Sequence, residues 1–438
     1  MNGASRFTKT GYAKRFTLSN EWIRVTGLSL WFAAVTFPFL TLESPHSFQF
    51  IEEENLWHYP MVAIFLVGIF LGLSRLHGTK VVIPSFLTDS ASILLFSFGF
   101  LTIIINLLTA RWNAMAYGGL YLLALWAWND FWRMSAAAQR SFARRTFIVL
   151  VIYLIGAVAI HGWPQYRWIG GIHPNHYGAA ALSLLIVARL CGTAVYRLGC
   201  ALAFSATIVV NSRYALLSCI AFSFAIYVLP LIRTRDGVFR ILLFNFCLGL
   251  IVVATISFDP LWNILDRLFE LSSVNRGIGS NLVGRIDRWN YFSFQFFQEP
   301  IIGYGFRQRQ EYLGTHNAYL NLVLESGLIA SLFLGGMALT GGRMLKASLT
   351  SDRRWRQDCP DGSRKEYVSD YGFAVFLALA VSGVFQPQFI NFGDPFGVLV
   401  FMMLGMNSYP VGQHDVHALE ARPRRGHFER SHLDSEPS

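Results

Sequence analysis

The sequence predicts an all-α polytopic membrane protein of about 12 transmembrane helices. Three observations carry this. The chain of 438 residues is 53% apolar and only 14% charged, against roughly 45–50% and about 25% in soluble globular domains. Its mean hydropathy is +0.41. Apolar runs recur at about the 20-residue length that crosses a ~30 Å hydrocarbon core. The basic residues are sorted between alternate loops. Together these exclude a soluble enzyme, a disordered chain and a disulfide-stapled secreted module. The net charge of +10 would suggest nucleic acid in a soluble chain. Because the cations are sorted by side of a membrane, no nucleic-acid partner is expected here.

The runs follow in order. Arg6, Lys9, Lys14 and Arg15 precede the first, 24–42, and no small-residue cleavage pattern follows it, so it reads as a retained span. The next four are 59–75, 88–109, 113–131 and 146–161. Then come 177–193, 196–211, 214–232 and 239–257. The seventh and eighth are separate because one straight helix over 198–232 would be roughly 52 Å long. A polar interval precedes the last three, 318–341, 370–386 and 395–410. The predicted organisation is therefore 1–257 with nine spans, an outer loop 258–317 carrying an amphipathic helix, 318–410 with three spans, and a disordered tail 411–438.

With the N-terminus in the cytoplasm, 27 of the 36 basic residues fall on the cytoplasmic side. That bias fits the positive-inside rule with both termini inside. Of the nine outer exceptions, Arg111, Arg167 and Arg213 are each alone in their loops, and six lie between Asp259 and Asn317. A basic outer loop points to an anionic ligand on that face. The five cysteines are odd in number and lack C-x-x-C spacing, so those in apolar runs read as small hydrophobes.

Four constellations carry chemistry. Asn211-Ser212-Arg213 interrupts apolar sequence where the chain must bend back. An arginine there is a candidate ligand or a turn residue snorkelling to headgroups. Arg285 and Arg288 share a face near the start of a helix over Leu282 to Gln298, where the helix dipole favours an anion. Trp289, Phe292 and Phe296 form a stripe suited to the bilayer or to the spans. His316-Asn317 directly precedes the tenth span. The imidazole can take a proton from a sugar hydroxyl, while the pair also suits a helix cap. Glu325, two turns on, is costly in lipid and is expected to face the bundle interior. His173-Pro174-Asn175-His176 invites a metal reading with His161 as third ligand, but a helix-entry turn suits it better, and no metal is expected. No Walker loop, H-E-x-x-H, G-x-S-x-G or dinucleotide fingerprint occurs, and no cofactor is expected.

The stretch G-R-I-D-R-W…P-I-I-G-Y-G…H-N-A-Y-L-N-L-V-L-E-S-G-L-I-A resembles the signature region of the O-antigen ligase and polysaccharide polymerase superfamily. Its motifs fall on Arg285, Trp289, Pro300, Gly303, Gly305, His316, Asn317, Leu320, Glu325 and Gly327. The family's S-R turn resembles Ser212-Arg213 and its H-P-N loop resembles His173-Pro174-Asn175. Ala330 replaces a usual Gly, and Arg288 stands where the pattern is often apolar. The resemblance spans 170 to 340.

It implies a GT-C-like, metal-independent, inverting glycosyltransferase of the bacterial inner membrane, with its active site facing the periplasm. The donor would be an undecaprenyl-diphosphate-linked glycan, and the acceptor a sugar hydroxyl on another glycan or on lipid A core. Chain-length regulator and flippase proteins would be further partners. Arg213 and Arg285 would grip the diphosphate, and His316 would serve the acceptor hydroxyl; Arg288, outside the pattern, is read as a further diphosphate ligand only from its place on the Arg285 face of the helix. Asn317, His173, Asn175 and Glu325 would support them. Polymerase is favoured over ligase. A lipid-linked glycan flippase is the non-enzyme alternative, but a transporter should show paired halves, and this chain is lopsided.

Overall fold

A computed structural model describes residues 9–37, 40, 90–132, 134, 136–165, 167–232, 281–306, 314–350, 367–385 and 395–404, with scattered positions between 236 and 272. The second predicted span, most of the ninth and the tail lie outside the described residues. Among those described, the regular structure is helical, with two isolated bridges at 165–172. In chain order the helices are α1 (Lys9–Thr36), α2 (Ser90–Leu108), α3 (Trp112–Trp132) and α4 (Ala136–His161). Next come α5 (Pro174–Cys191), α6 (Thr193–Val209), α7 (Arg213–Ile232) and α8 (Asn281–Gln298). The last are α9 (Ala318–Ser326), α10 (Ala330–Thr350), α11 (Tyr367–Phe385) and α12 (Pro395–Leu404). Four stretches are long and apolar enough to cross a membrane: Ser90–Leu108, Ala137–His161, Arg213–Ile232 and Ala318–Leu349. Shorter apolar helices accompany them at Trp22–Thr36, Thr193–Val209 and Asp370–Phe385. The chain is a multi-pass helical membrane protein.

Helix α5 is the axis of the bundle. It packs on α4, α6, α7 and α12, and nearly every residue from Pro174 to Ala188 is buried. Lipid tails are as apolar as leucine, so helix association in a bilayer depends on close fit rather than on escape from water. Small residues supply that fit. A Cβ on Gly178 would stand 2.5 Å from Ser212 Oγ, and one on Gly199 would stand 2.4 Å from Ala188 Cβ. Aromatic rings fill the layer above α5: the His176 ring lies 4.8 Å from Phe396, and Tyr153 lies 5.4 Å from the same ring.

The tenth predicted span differs from the expected single helix. It breaks at Gly327, with α9 before it, a 3-10 turn over Gly327–Ile329, and α10 after it. The break exposes backbone groups that lipid could not satisfy. They are paired with the preceding loop instead. The N–H groups of Tyr304 and Gly305 donate to the carbonyls of Leu324 and Glu325 at 2.9 and 3.0 Å, and Leu328 N–H donates to Pro300 O at 2.9 Å. Gly303 (φ +67) and Gly327 (φ +55) permit this contact, since a Cβ on either would meet opposing backbone at 2.4–2.5 Å.

Candidate functional site

One end of the bundle gathers the α2–α3 turn, the α4–α5 loop, the α6–α7 turn and residues 299–306 and 314–317. Hydrogen bonds join them. Arg111 donates to Gly303 O at 2.9 Å, and Arg167 donates to Asn211 O at 3.0 Å.

Arg213 is placed by a Schellman turn. Ser212 N–H donates to Thr207 O and Asn211 N–H to Ile208 O, both at 2.9 Å. Asn211 takes the left-handed conformation (φ +47) that this turn needs and that asparagine tolerates. Ser212 then accepts the first bond of α7, from Leu216 N–H at 3.0 Å. Arg213 is thus the first residue of a 20-residue helix, where free N–H groups and the helix dipole favour an anion. Its side chain is half-buried.

The H-P-N loop abuts this turn. His173 is the N-cap of α5: its Nδ1 accepts from Asn175 N–H at 3.0 Å, and Pro174 opens the helix. Asn175 is held from the α7 side, with Ser212 Oγ 3.5 Å from its Oδ1 and the Tyr214 hydroxyl donating to its carbonyl. Burial, then the nearby charges of Arg167, His176 and His316, lowers His173 to about 4. With Nδ1 accepting, its proton resides on Nε2. His161, the third ligand of the metal alternative, contacts Leu40 O at 2.5 Å. No group of three or more His, Cys, Asp or Glu side chains among the described residues could hold an ion.

His316 is exposed and left-handed (φ +57). Both its neighbours are tied down. Buried Thr315 donates through N–H and Oγ1 to Asn321 Oδ1, at 2.8 and 2.7 Å. Asn317 caps α9, its Oδ1 accepting from Tyr319 N–H and Leu320 N–H at 2.9 and 3.1 Å. The Asn317 amide NH₂ stays available for a hydroxyl acceptor. Helix α8 clamps the same loop from outside. Arg288 donates to Gly314 O and Trp289 Nε1 to Thr315 O, both at 2.9 Å. Arg288 therefore positions the loop, a role its charge alone did not reveal. Position 285 lies on α8 one turn before Trp289. Trp289, Phe292 and Phe296 are half-buried. Glu325 is buried where the tenth span breaks, as is Asn321 one turn before it.

Sequence reasoning missed Arg111 and Arg167 as site builders. Their signal was present: each is a lone arginine on the side the positive-inside rule leaves poor in cations. Electrostatic range links His173 to His316, and hydrogen bonds link Asn175 to the residues flanking Arg213. The S-R turn, the H-P-N loop and the H-N loop therefore converge.

No curated protein matches the chain. Residues 198–335 match the family model described as O-antigen ligase, roughly a third of the chain. Over that stretch, which runs from α6 through the Arg213 turn and His316 into α10, the chain is similar to that family.

Proposed function

We propose that the protein transfers a glycan from undecaprenyl diphosphate to a sugar hydroxyl at the periplasmic face of the bacterial inner membrane. The observation that carries this reading is the convergence of the Arg213 turn, the H-P-N loop and the His316 loop at one end of the bundle. The acceptor oxygen attacks the anomeric carbon, and the bond from that carbon to the diphosphate breaks. The electron pair leaves with the diphosphate, and the hydroxyl proton passes to His316. Arg213 and Arg285 meet the charge that builds on the leaving group. Guanidinium groups stay charged at any working pH, and a water-poor site strengthens their effect. They supply what a metal would otherwise supply, and the donor is already activated, so neither metal nor nucleotide enters the scheme. Inversion follows from a single displacement. Orientation rests on charge: Arg140, Arg144, Arg145, Arg189 and Arg343 belong to the opposite end of the bundle, which the positive-inside rule assigns to the cytoplasm.

Polymerisation of a surface or secreted polysaccharide is the favoured form of the reaction. Ligation to lipid A core is the second reading, favoured by the description of the matching family model. The test uses purified protein in vesicles with undecaprenyl-diphosphate glycan and either free glycan or lipid A core acceptor. A new glycosidic product is expected, and its acceptor decides polymerase against ligase. Movement of intact donor without product would make the protein a flippase and end this reading. Arg213→Ala and Arg285→Ala should each abolish product while the protein still inserts.

A further inference from the structure

Helix α8 has two apolar faces, and among the described residues only one packs inside the protein. Trp289, Phe292, Gln295 and Phe296 turn inward, with Trp289 bonded to the His316 loop. Tyr291, Phe294 and Phe297 recur every three residues on the other side, and Ile301 follows just past the helix end. Phe297 is 75% exposed and Ile301 66%. The outward face is not uniform. Its first turns carry exposed Asp287 and Asn290 beside Ile286, which is 38% exposed, and its last turns carry the aromatic groups with exposed Ser293 and Gln298.

The apolar end is fastened to the rims of two spans. Ile301 O accepts from Leu328 N–H at 3.1 Å, and the Leu328 side chain is itself exposed within the broken span. Two residues beyond Ile301, Gly303 O accepts from Arg111, which sits between exposed Leu108 and Trp112. Leu108 ends an apolar stretch long enough to cross a membrane, and Trp112 opens the next helix. The exposed aromatic end of α8 is joined through residues 301–303 to the end of that stretch.

We propose that the C-terminal half of α8 is seated among the phospholipid acyl chains of the adjoining leaflet, with its Asp287 end tilted out into the headgroups and water. A helix that is polar at one end and aromatic at the other suits an interface plane. This seating would hold the inward face, with Arg288 and Trp289, at headgroup depth. It is independent of the reaction catalysed.

The test places the photo-reactive p-benzoylphenylalanine in place of Phe297 or of Asp287 in the full chain. Each variant is reconstituted in phosphatidylethanolamine–phosphatidylglycerol vesicles lacking any polyprenyl lipid, then irradiated. Both positions are exposed, so the added ring displaces nothing packed. Phospholipid adducts by mass spectrometry are expected at 297, at least tenfold above those at 287. Absence of phospholipid adducts at 297, or cross-links there to a second copy of the chain, would overturn the proposal. Equal adduction at both positions would overturn the tilt.

Discussion

His316 holds a left-handed backbone (φ +57), a conformation that costs a non-glycine residue roughly 1–2 kcal/mol. The Thr315–Asn321 and Trp289 bonds on one side and the Asn317 cap on the other maintain it. Two substitutions separate backbone from chemistry. His316→Ala keeps the strain and loses the imidazole; His316→Gly loses both. Transfer should fall by roughly 10²–10⁴-fold in each. His316→Gly should be the more stable of the two by about 1 kcal/mol in thermal unfolding. Near-normal transfer in either variant removes the imidazole from the mechanism.

His173 titrates at about 4 when folded, below the ordinary 6.5. The unfolded chain therefore binds more protons than the folded one between these values. Its contribution to stability is full above about 6.5 and is lost as the pH falls towards 4. The stability difference between wild type and His173→Asn, followed by thermal unfolding, should shrink across that window. A difference independent of pH would contradict the assignment. His173 and His316 were visible in the sequence because their motifs are local. Arg111 and Arg167 were visible only as lone outer cations; their partners were not, because each binds a backbone carbonyl far along the chain, and sequence gives carbonyls no mark.

At the level of elements, apolar run length located most helices within a few residues. The predicted 113–131 is Trp112–Trp132, and 370–386 is Tyr367–Phe385. Helix α4 begins at Ala136 rather than 146, since Arg140, Arg144 and Arg145 form helix outside an apolar window as readily as within one. The break in the tenth span was invisible for a different reason. Apolar sequence runs on through Gly327, and what stops the helix is pairing with residues 300–305, a non-local bond set. Gly303→Ala should cost about 1–3 kcal/mol, because the new Cβ meets the Leu324 and Glu325 backbone at a left-handed position. Trp289→Phe removes the Nε1 bond to Thr315 O, a loss of about 1 kcal/mol, together with the packing of the indole's five-membered ring. It should lower transfer more than stability, because the loop it releases carries His316. Equal transfer with lower stability would make the clamp purely structural.

At the scale of the molecule, the cations among the described residues divide into two populations. Those at the end opposite the site fit the positive-inside rule. The lone arginines at the site end, Arg111 and Arg167, are fixed to backbone carbonyls, and Arg213 opens a helix. The orientation has its own test. A cysteine at exposed Trp163, on the site end, should react with an impermeant maleimide in whole cells. One at exposed Thr193, at the other end, should react only after lysis. The reverse pattern would turn the proposed active site to the cytoplasm.

The most direct measurement of the central claim is the affinity of purified protein for undecaprenyl diphosphate, compared with Arg213→Ala, Arg285→Ala and the double variant. Losing a charged hydrogen bond costs about 1.5–3 kcal/mol, so each single change should weaken Kd by roughly tenfold or more. The double variant should lose less than the product of the two, since both groups hold one diphosphate. Unchanged affinity in both single variants would contradict the account.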